Sequence, residues 1–96
     1  MKKETLQQLI GVGSEFLLLD IRETDELSDA PTIAGSLHMP MGKIFTEAGK
    51  GNLPKDRHLV VFCKTGKRAG IVQNELRILG YQVDGLEGGL QAYNAD

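Results

Sequence analysis

Cys63 is the only cysteine of the chain, and the residues around it suit nucleophilic chemistry. The apolar run at 59–62 predicts a buried strand that ends at this cysteine. Apolar residues then recur at helical spacing between positions 69 and 79, and Gly80 stands where the end of a helix is expected. The pattern therefore predicts Cys63 at the carboxyl end of a strand, facing the N-terminus of a helix.

The loop after Cys63 supplies groups that would activate a thiol. Successive backbone N–H groups, together with those of a first helical turn, attract anions and stabilise a thiolate. Lowering the pKa of a cysteine from about 8.5 to about 6.5 would raise its thiolate fraction at neutral pH from roughly 3 % to roughly 75 %. Lys64, Lys67 and Arg68 would add three positive charges to this site in a chain of net charge −2. This favours an anionic substrate or a covalently bound anionic intermediate.

A purely structural cysteine is the alternative at this position. In that case Cys63 would be a small buried hydrophobe and the basic residues would be ordinary solvated side chains. A Cys63 side chain that pointed into the interior, away from water, would contradict the enzymatic interpretation.

Four segments match, in order and spacing, the pattern of one protein family. They are the loop from Cys63 to Arg68 with four intervening residues, segment 19–22 with the downstream Glu26, segment 33–40, and segment 86–93. Together they resemble the single-domain rhodaneses, the thiosulfate sulfurtransferases, over nearly the whole chain. Lys64 and Tyr93 replace residues that are common in the family. These differences concern which sulfur donor is preferred more than whether sulfur is transferred.

The resemblance implies an enzyme that carries sulfur on a cysteine. Cys63 would be the catalytic residue, taking the outer sulfur of thiosulfate or of a persulfide donor and passing it, as a persulfide, to cyanide, a thiol or a protein thiol. The implied anion-binding residues are Lys64, Thr65, Gly66, Lys67, Arg68 and Ala69. No bound cofactor is implied.

Four further residues are predicted to support this site. Asp20 ends a continuous apolar run and would lie at the carboxyl edge of the sheet, close to Arg22. For both residues the expected role is mainly structural, because Arg22, Asp25 and Glu26 are near enough to pair with each other or to anchor loops. Gly88 and Gly89 would permit a close backbone approach, so this turn could lie against the loop that follows Cys63.

Two other functions remain open from the sequence. A phosphatase or arsenate reductase of related fold would also use a cysteine and an arginine around an anion site, but those loops have five intervening residues. A sulfur-relay or binding module would dock on a partner and show little turnover with free thiosulfate.

The remainder of the chain predicts a small α/β fold. Its 96 residues fit one domain, 1–96, in which strands and helices alternate to give a mostly parallel sheet with helices on both faces. The predicted strands are 16–21, 37–39, 59–62 and 82–86, and the predicted helices are 3–10, a turn at 24–27 capped by Thr24, 41–47, 69–79 and a terminal helix after Gly89.

Composition excludes several partners. No basic tract suggests nucleic acid, and no apolar run is long enough for a membrane span or signal peptide, so the expected location is the cytoplasm. One cysteine cannot form an internal disulfide, and with two scattered histidines it does not make a metal site. His58 precedes its strand, at the end opposite Cys63, and His38 is not expected to be catalytic. The oligomeric state is not predicted.

Overall fold

The fold is built on a parallel sheet of four strands. The structure is a computed structural model that describes residues 1–95. The strands are β1 (Phe16–Asp20), β2 (Leu37–His38), β3 (His58–Phe62) and β4 (Val83–Gly85), and they lie in the order β2-β1-β3-β4 with every neighbouring pair parallel. The helices are α1 (Lys3–Gly11), α2 (Met41–Gly49), α3 (Lys67–Ile78) and α4 (Gly89–Tyr93), with a short 3-10 turn at Thr24–Glu26. Within residues 1–95, no helix is long and apolar enough to span a bilayer.

The strands β1 and β3 are central because their residues are apolar on both sides. Leu18 and Leu19 are at most 5 % exposed, and residues 59–62 are fully buried. Such continuous apolar runs are typical of parallel strands that are covered on both faces. The two strands pair in register from Phe16 opposite His58 to Asp20 opposite Phe62, so both end at the same edge of the sheet.

Helices cover both faces of the sheet, which confirms the predicted architecture. One face packs against α2 and α3, and its buried cluster includes Leu19, Ile44, Leu59, Val61, Cys63, Val72 and Leu76. The opposite face packs against α1 and α4, and its cluster includes Leu6, Leu18, Val60, Phe62 and Leu90. Alternate residues of β3 therefore point to opposite faces, and Cys63 continues the side that faces α2 and α3.

One predicted helix start and one predicted cap are wrong for local reasons. The helix α3 begins at Lys67 and not at residue 69, because Gly66, with φ of +97°, serves as its N-cap. The 3-10 turn is capped by Glu23 and not by Thr24: the Glu23 side chain accepts from the backbone of Glu26, and the Glu26 side chain accepts from the Glu23 N–H. The other boundaries lie within two residues of their predicted positions.

Candidate active site

The loops that follow β1 and β3 meet at the carboxyl edge of the sheet. Asp20 ends β1 and lies opposite Phe62, the last residue of β3. The Ile21 N–H donates to the Phe62 carbonyl at 3.0 Å, which holds the two chain segments together beyond the strands. Because α3 begins only four residues after Cys63, its N-terminus opens at this edge too. This edge is where open α/β sheets place their ligands.

The short turn at residues 63–66, the Cys63 loop, folds back onto its own cysteine. The Gly66 N–H donates to Cys63 Sγ at 3.1 Å. Gly66 can point its N–H inward because its backbone adopts a left-handed conformation, and a Cβ there would lie 2.9 Å from the Gly88 nitrogen. The loop thus presents a backbone donor to the sulfur, which is a contact that favours a thiolate.

Solvent does not reach the cysteine in this structure. Cys63 is 1 % exposed and belongs to the apolar cluster that includes Ala69 and Val72. Burial away from water was expected to contradict the enzymatic interpretation, and in this respect the residue matches the buried, structural alternative. The Gly66 N–H, however, gives its sulfur a polar partner that simple apolar packing would not require. Cys63 Sγ is therefore buried and accepts a backbone hydrogen bond, and a reagent must displace some of the residues that bury it to reach it.

The predicted anion-binding residues fall into two groups. Lys64, Thr65 and Lys67 are exposed, so their side chains face solvent around the Cys63 loop. Ala69 is fully buried, and only its backbone could contact a ligand. The N–H groups of the first turn of α3 have no acceptor within the helix, as at every helix start. The structure therefore brings backbone donors and two exposed ammonium groups to the same edge as the sulfur.

Arg68 is bound to a carboxylate from the loop after β1. Its Nη2 lies 2.8 Å from Glu26 Oε2, and Nη1 contacts Glu26 Oε1, so the pair is bidentate. Hydrogen bonds from Arg68 lower the pKa of Glu26 to about 2. Glu26 in turn raises the pKa of Arg68 through its hydrogen bonds, against the opposing effect of burial, and the neighbouring Cys63 sulfur acts in the same direction. Glu26 was expected to pair with Arg22 or Asp25 or to anchor a loop, and its contact with Arg68 was not predicted.

Asp20 and Arg22 form a buried ion pair that anchors this same loop. Arg22 donates through Nε and Nη2 to the Asp20 carboxylate, and its Nη1 donates to the carbonyls of Glu26 and Ala30, at 3.1 Å each. Burial raises the pKa of Asp20, but hydrogen bonds from Arg22 and from Thr32 outweigh it, so the net shift is downward. Both side chains point away from solvent at 1 to 2 % exposure. Their position gives them the supporting role of holding the segment that carries Glu26.

The turn at residues 88–89 lies directly against the Cys63 loop. Gly88 is the N-cap of α4, and a Cβ on Gly89 would lie 2.5 Å from the Cys63 carbonyl oxygen. Two amides of α4 donate to the loop: Leu90 N–H to the Cys63 carbonyl at 2.9 Å and Gln91 N–H to the Lys64 carbonyl at 3.0 Å. The Cys63 loop is therefore held from the side of α4 by backbone contacts alone.

The histidines are engaged elsewhere. His38 Nε2 lies 2.7 Å from the Arg22 carbonyl, and His58 Nε2 lies 2.7 Å from Asp84 Oδ2. His58 begins β3 and so lies at the opposite end of that strand from Cys63. Among residues 1–95, His, Cys and acidic side chains form no group of three that could hold a metal ion.

The family of the chain follows from comparison with known proteins. A family model described as the rhodanese-like domain matches residues 2–96. This chain belongs to that family. The rhodanese-like relatives include a protein named sulfurtransferase from Allochromatium vinosum, which is 33 % identical over 94 % of this chain and 82 % of its own length.

Longer proteins contain a similar segment. A tRNA sulfurtransferase from Desulfurococcus amylolyticus is 27 % identical over 93 % of this chain, which spans only 17 % of that protein. Among solved structures, a rhodanese-related protein from Thermoplasma volcanium superposes with a TM-score of 0.81 and is 27 % identical, covering 97 % of this chain and 87 % of its own. The rhodanese-like fold is thus shared over nearly all of the residues compared.

Proposed function

We propose that this rhodanese-like chain is a sulfurtransferase that carries a sulfane sulfur on Cys63. The observation that supports this most directly is the hydrogen bond from the Gly66 N–H to Cys63 Sγ at 3.1 Å, next to the N-terminus of α3. A backbone donor aimed at the sulfur stabilises the thiolate, and the thiolate is the nucleophilic form of cysteine. The names of the relatives support the same chemistry.

In the first half-reaction the Cys63 thiolate attacks the sulfane sulfur of thiosulfate. The sulfur–sulfur bond of the donor breaks, and sulfite leaves with the electron pair. The exposed ammonium groups of Lys64 and Lys67 and the guanidinium of Arg68 would stabilise the departing anion. A persulfide donor would react in the same way, with a thiolate as the leaving group.

In the second half-reaction an acceptor removes the sulfur. A thiolate or cyanide attacks the outer sulfur of the Cys63 persulfide, the bond to Sγ breaks, and the electron pair returns to Sγ as the thiolate. Between the two steps the persulfide is an anion, and the backbone N–H groups from Lys64 to Ala69 would hold it. No bound cofactor takes part. The free thiol that this cycle needs suits a reducing compartment, so we place the reaction in the cytoplasm.

Intact-mass measurement tests the proposal. Incubation with thiosulfate should add one sulfur atom to the protein, and cyanide should remove it. Cys63→Ser, which replaces the sulfur nucleophile with a hydroxyl, should show no gain. If the wild-type protein gains no sulfur from thiosulfate or from a persulfide, or if Cys63→Ser gains as much, the proposal is wrong.

A second candidate function is a sulfur-relay module that works with a protein partner. The burial of Cys63 at 1 % exposure favours it, because a docked partner could open the cover that a free small molecule must displace by itself. Transfer rates to cyanide and to protein thiols distinguish the two functions. A relay module should transfer at least about tenfold faster to a protein thiol, while comparable rates support an enzyme that acts on free acceptors.

A further inference from the structure

The charge of Arg68 is compensated by a carboxylate of the chain itself. Both terminal nitrogens of its guanidinium contact the two carboxylate oxygens of Glu26, and the two side chains are 32 % and 23 % exposed respectively. A bidentate, partly buried pair of this kind is stronger than an exposed surface ion pair. An anionic donor must therefore displace the Glu26 carboxylate or bind beside it.

The surroundings of Glu26 add further negative charge. A cavity of about 240 Å³ lies next to the Cys63 loop, and its lining includes the carboxylates of Glu26 and Asp29 and the ammonium of Lys64. Arg22 also lines it, but that guanidinium is bound to Asp20. Both guanidinium groups at this edge, those of Arg22 and Arg68, are thus bound to carboxylates, so a ligand with two negative charges would have to rely on the exposed ammonium groups of Lys64 and Lys67.

We infer that Glu26 is a specificity-determining residue, which occupies Arg68 and so disfavours the thiosulfate dianion relative to a persulfide donor. The inference rests on the proposed function. In the favoured reaction the Cys63 thiolate attacks the outer sulfur of R–S–SH, the donor sulfur–sulfur bond breaks, and the electron pair leaves on R–S⁻. The proton stays on the transferred sulfur during this step and is lost to water afterwards, which gives the persulfide anion. The leaving thiolate carries one negative charge, so no group needs the second positive charge that release of the sulfite dianion would require.

The protonation state of Glu26 is consistent with this role. Arg68 holds its pKa at about 2, so the carboxylate stays ionised and paired throughout the pH range in which sulfur transfer would be measured. The effect of Glu26 on the preference between a persulfide donor and thiosulfate should therefore not depend on pH near neutrality.

The test is Glu26→Gln, with Asp25→Asn as the matched control. Gln keeps the shape of Glu26 and an oxygen that can accept from the Glu23 N–H, but it carries no negative charge, so the charge of the Arg68 guanidinium is no longer compensated. Asp25 belongs to the same turn, is exposed, and forms no ion pair among the described residues. Asp25→Asn therefore removes one negative charge, as Glu26→Gln does, without breaking an ion pair. Initial rates of Cys63 sulfuration are followed by intact mass with two donors, sodium thiosulfate and cysteamine persulfide, a persulfide without carboxylates.

The measured quantity is the ratio of the rate constants for the two donors. We expect Glu26→Gln to shift this ratio toward thiosulfate by at least about fivefold and Asp25→Asn by less than about twofold. The ratio cancels any general loss of active protein. As a second readout, sulfate, an inert dianion, should inhibit sulfuration of Glu26→Gln by cysteamine persulfide about fivefold more strongly than it inhibits the wild-type reaction.

The possible outcomes separate the two proposals. If both donors load the wild-type protein but the ratio is unchanged or shifts toward the persulfide in Glu26→Gln, this inference is wrong and the proposed function stands. An equal shift in Asp25→Asn would also overturn it, because net charge alone would then explain the effect. If neither donor loads wild-type Cys63, the proposed function fails and the inference fails with it.

Discussion

Replacing Gly89 by Ala should destabilise the protein through one backbone contact. A Cβ at this position would lie 2.5 Å from the Cys63 carbonyl oxygen and 2.6 Å from the carbonyl carbon and oxygen of Lys64. All three neighbours are backbone atoms, so no flexible side chain can move aside. The turn must therefore shift away from the Cys63 loop.

The expected cost has two parts. Gly89 has φ of +57°, and an L-residue in this left-handed region costs about 1–2 kcal/mol. A shift of the turn also stretches the hydrogen bonds from Leu90 N–H to the Cys63 carbonyl and from Gln91 N–H to the Lys64 carbonyl, now 2.9 and 3.0 Å long. Each contributes about 0.5–1.5 kcal/mol. The free energy of unfolding should fall by about 2–5 kcal/mol.

Urea unfolding at neutral pH measures this cost, and Gly51→Ala is the control. Gly51 has φ of +73°, but a Cβ placed on it would meet no atom within 4 Å, so its replacement carries only the conformational part, about 1–2 kcal/mol. The rate of sulfur loading onto Cys63 should also fall in Gly89→Ala and remain unchanged in Gly51→Ala. Equal losses of stability in the two variants would show that the contact with the Cys63 loop does not matter.

Three further predictions concern the ion pairs and the core. Because the pKa of Glu26 is lowered to about 2, its pair with Arg68 stabilises the folded protein above about pH 4.5, and this stabilisation is lost as the pH falls toward about 2. In urea unfolding across this pH range, the stability of Glu26→Gln should therefore depend less on pH than that of the wild type. Asp20→Asn should cost about 3–5 kcal/mol in urea unfolding, because it leaves the Arg22 charge buried without its partner. Leu76→Ala should cost about 2–5 kcal/mol and Ile78→Ala less than about 0.5 kcal/mol, since their exposed fractions are 0 % and 78 %.

Each of these has an outcome that contradicts it. Parallel pH profiles for wild type and Glu26→Gln would mean that the pair adds nothing to stability. A loss below about 1 kcal/mol in Asp20→Asn would mean that the buried charge finds another partner. Similar losses in the two α3 variants would contradict the assignment of the buried face of that helix.

The sequence was sufficient to predict the elements whose signals are local. The run 59–62 is apolar on both sides because β3 is covered on both faces, and the cysteine at its end necessarily lies at the carboxyl edge of a parallel sheet. The spacing of Val72 and Leu76 predicted the buried face of α3 for the same reason. Its start was predicted two residues late because Gly66, which caps it, carries no side-chain signal.

The contacts that define the site are not local, and so no spacing rule could supply them. Glu26 and Arg68 are 42 residues apart, and only the parallel pairing of β1 with β3 brings their loops together. The burial of Cys63 likewise depends on how α2 and α3 pack over the sheet edge. Arg22 was expected to pair with Asp25 or Glu26, but it binds the carboxylate of Asp20 and the backbone carbonyl of Glu26.

The Cys63 loop is held from several directions by groups distant in sequence. Gly66 lies against Gly88, Arg68 is bound to Glu26, and the carbonyls of Cys63 and Lys64 accept from α4. Because these contacts lie within the chain itself, they hold the Gly66 N–H against the sulfur, and this donor need not reorganise when charge develops there. The same packing buries the thiol, because Cys63 lies in the apolar cluster that includes Ala69 and Val72. Access of reagents to Cys63 and activation of its sulfur therefore place opposite demands on the loop. A substitution that loosens the loop should make Cys63 easier to alkylate and should slow its sulfuration.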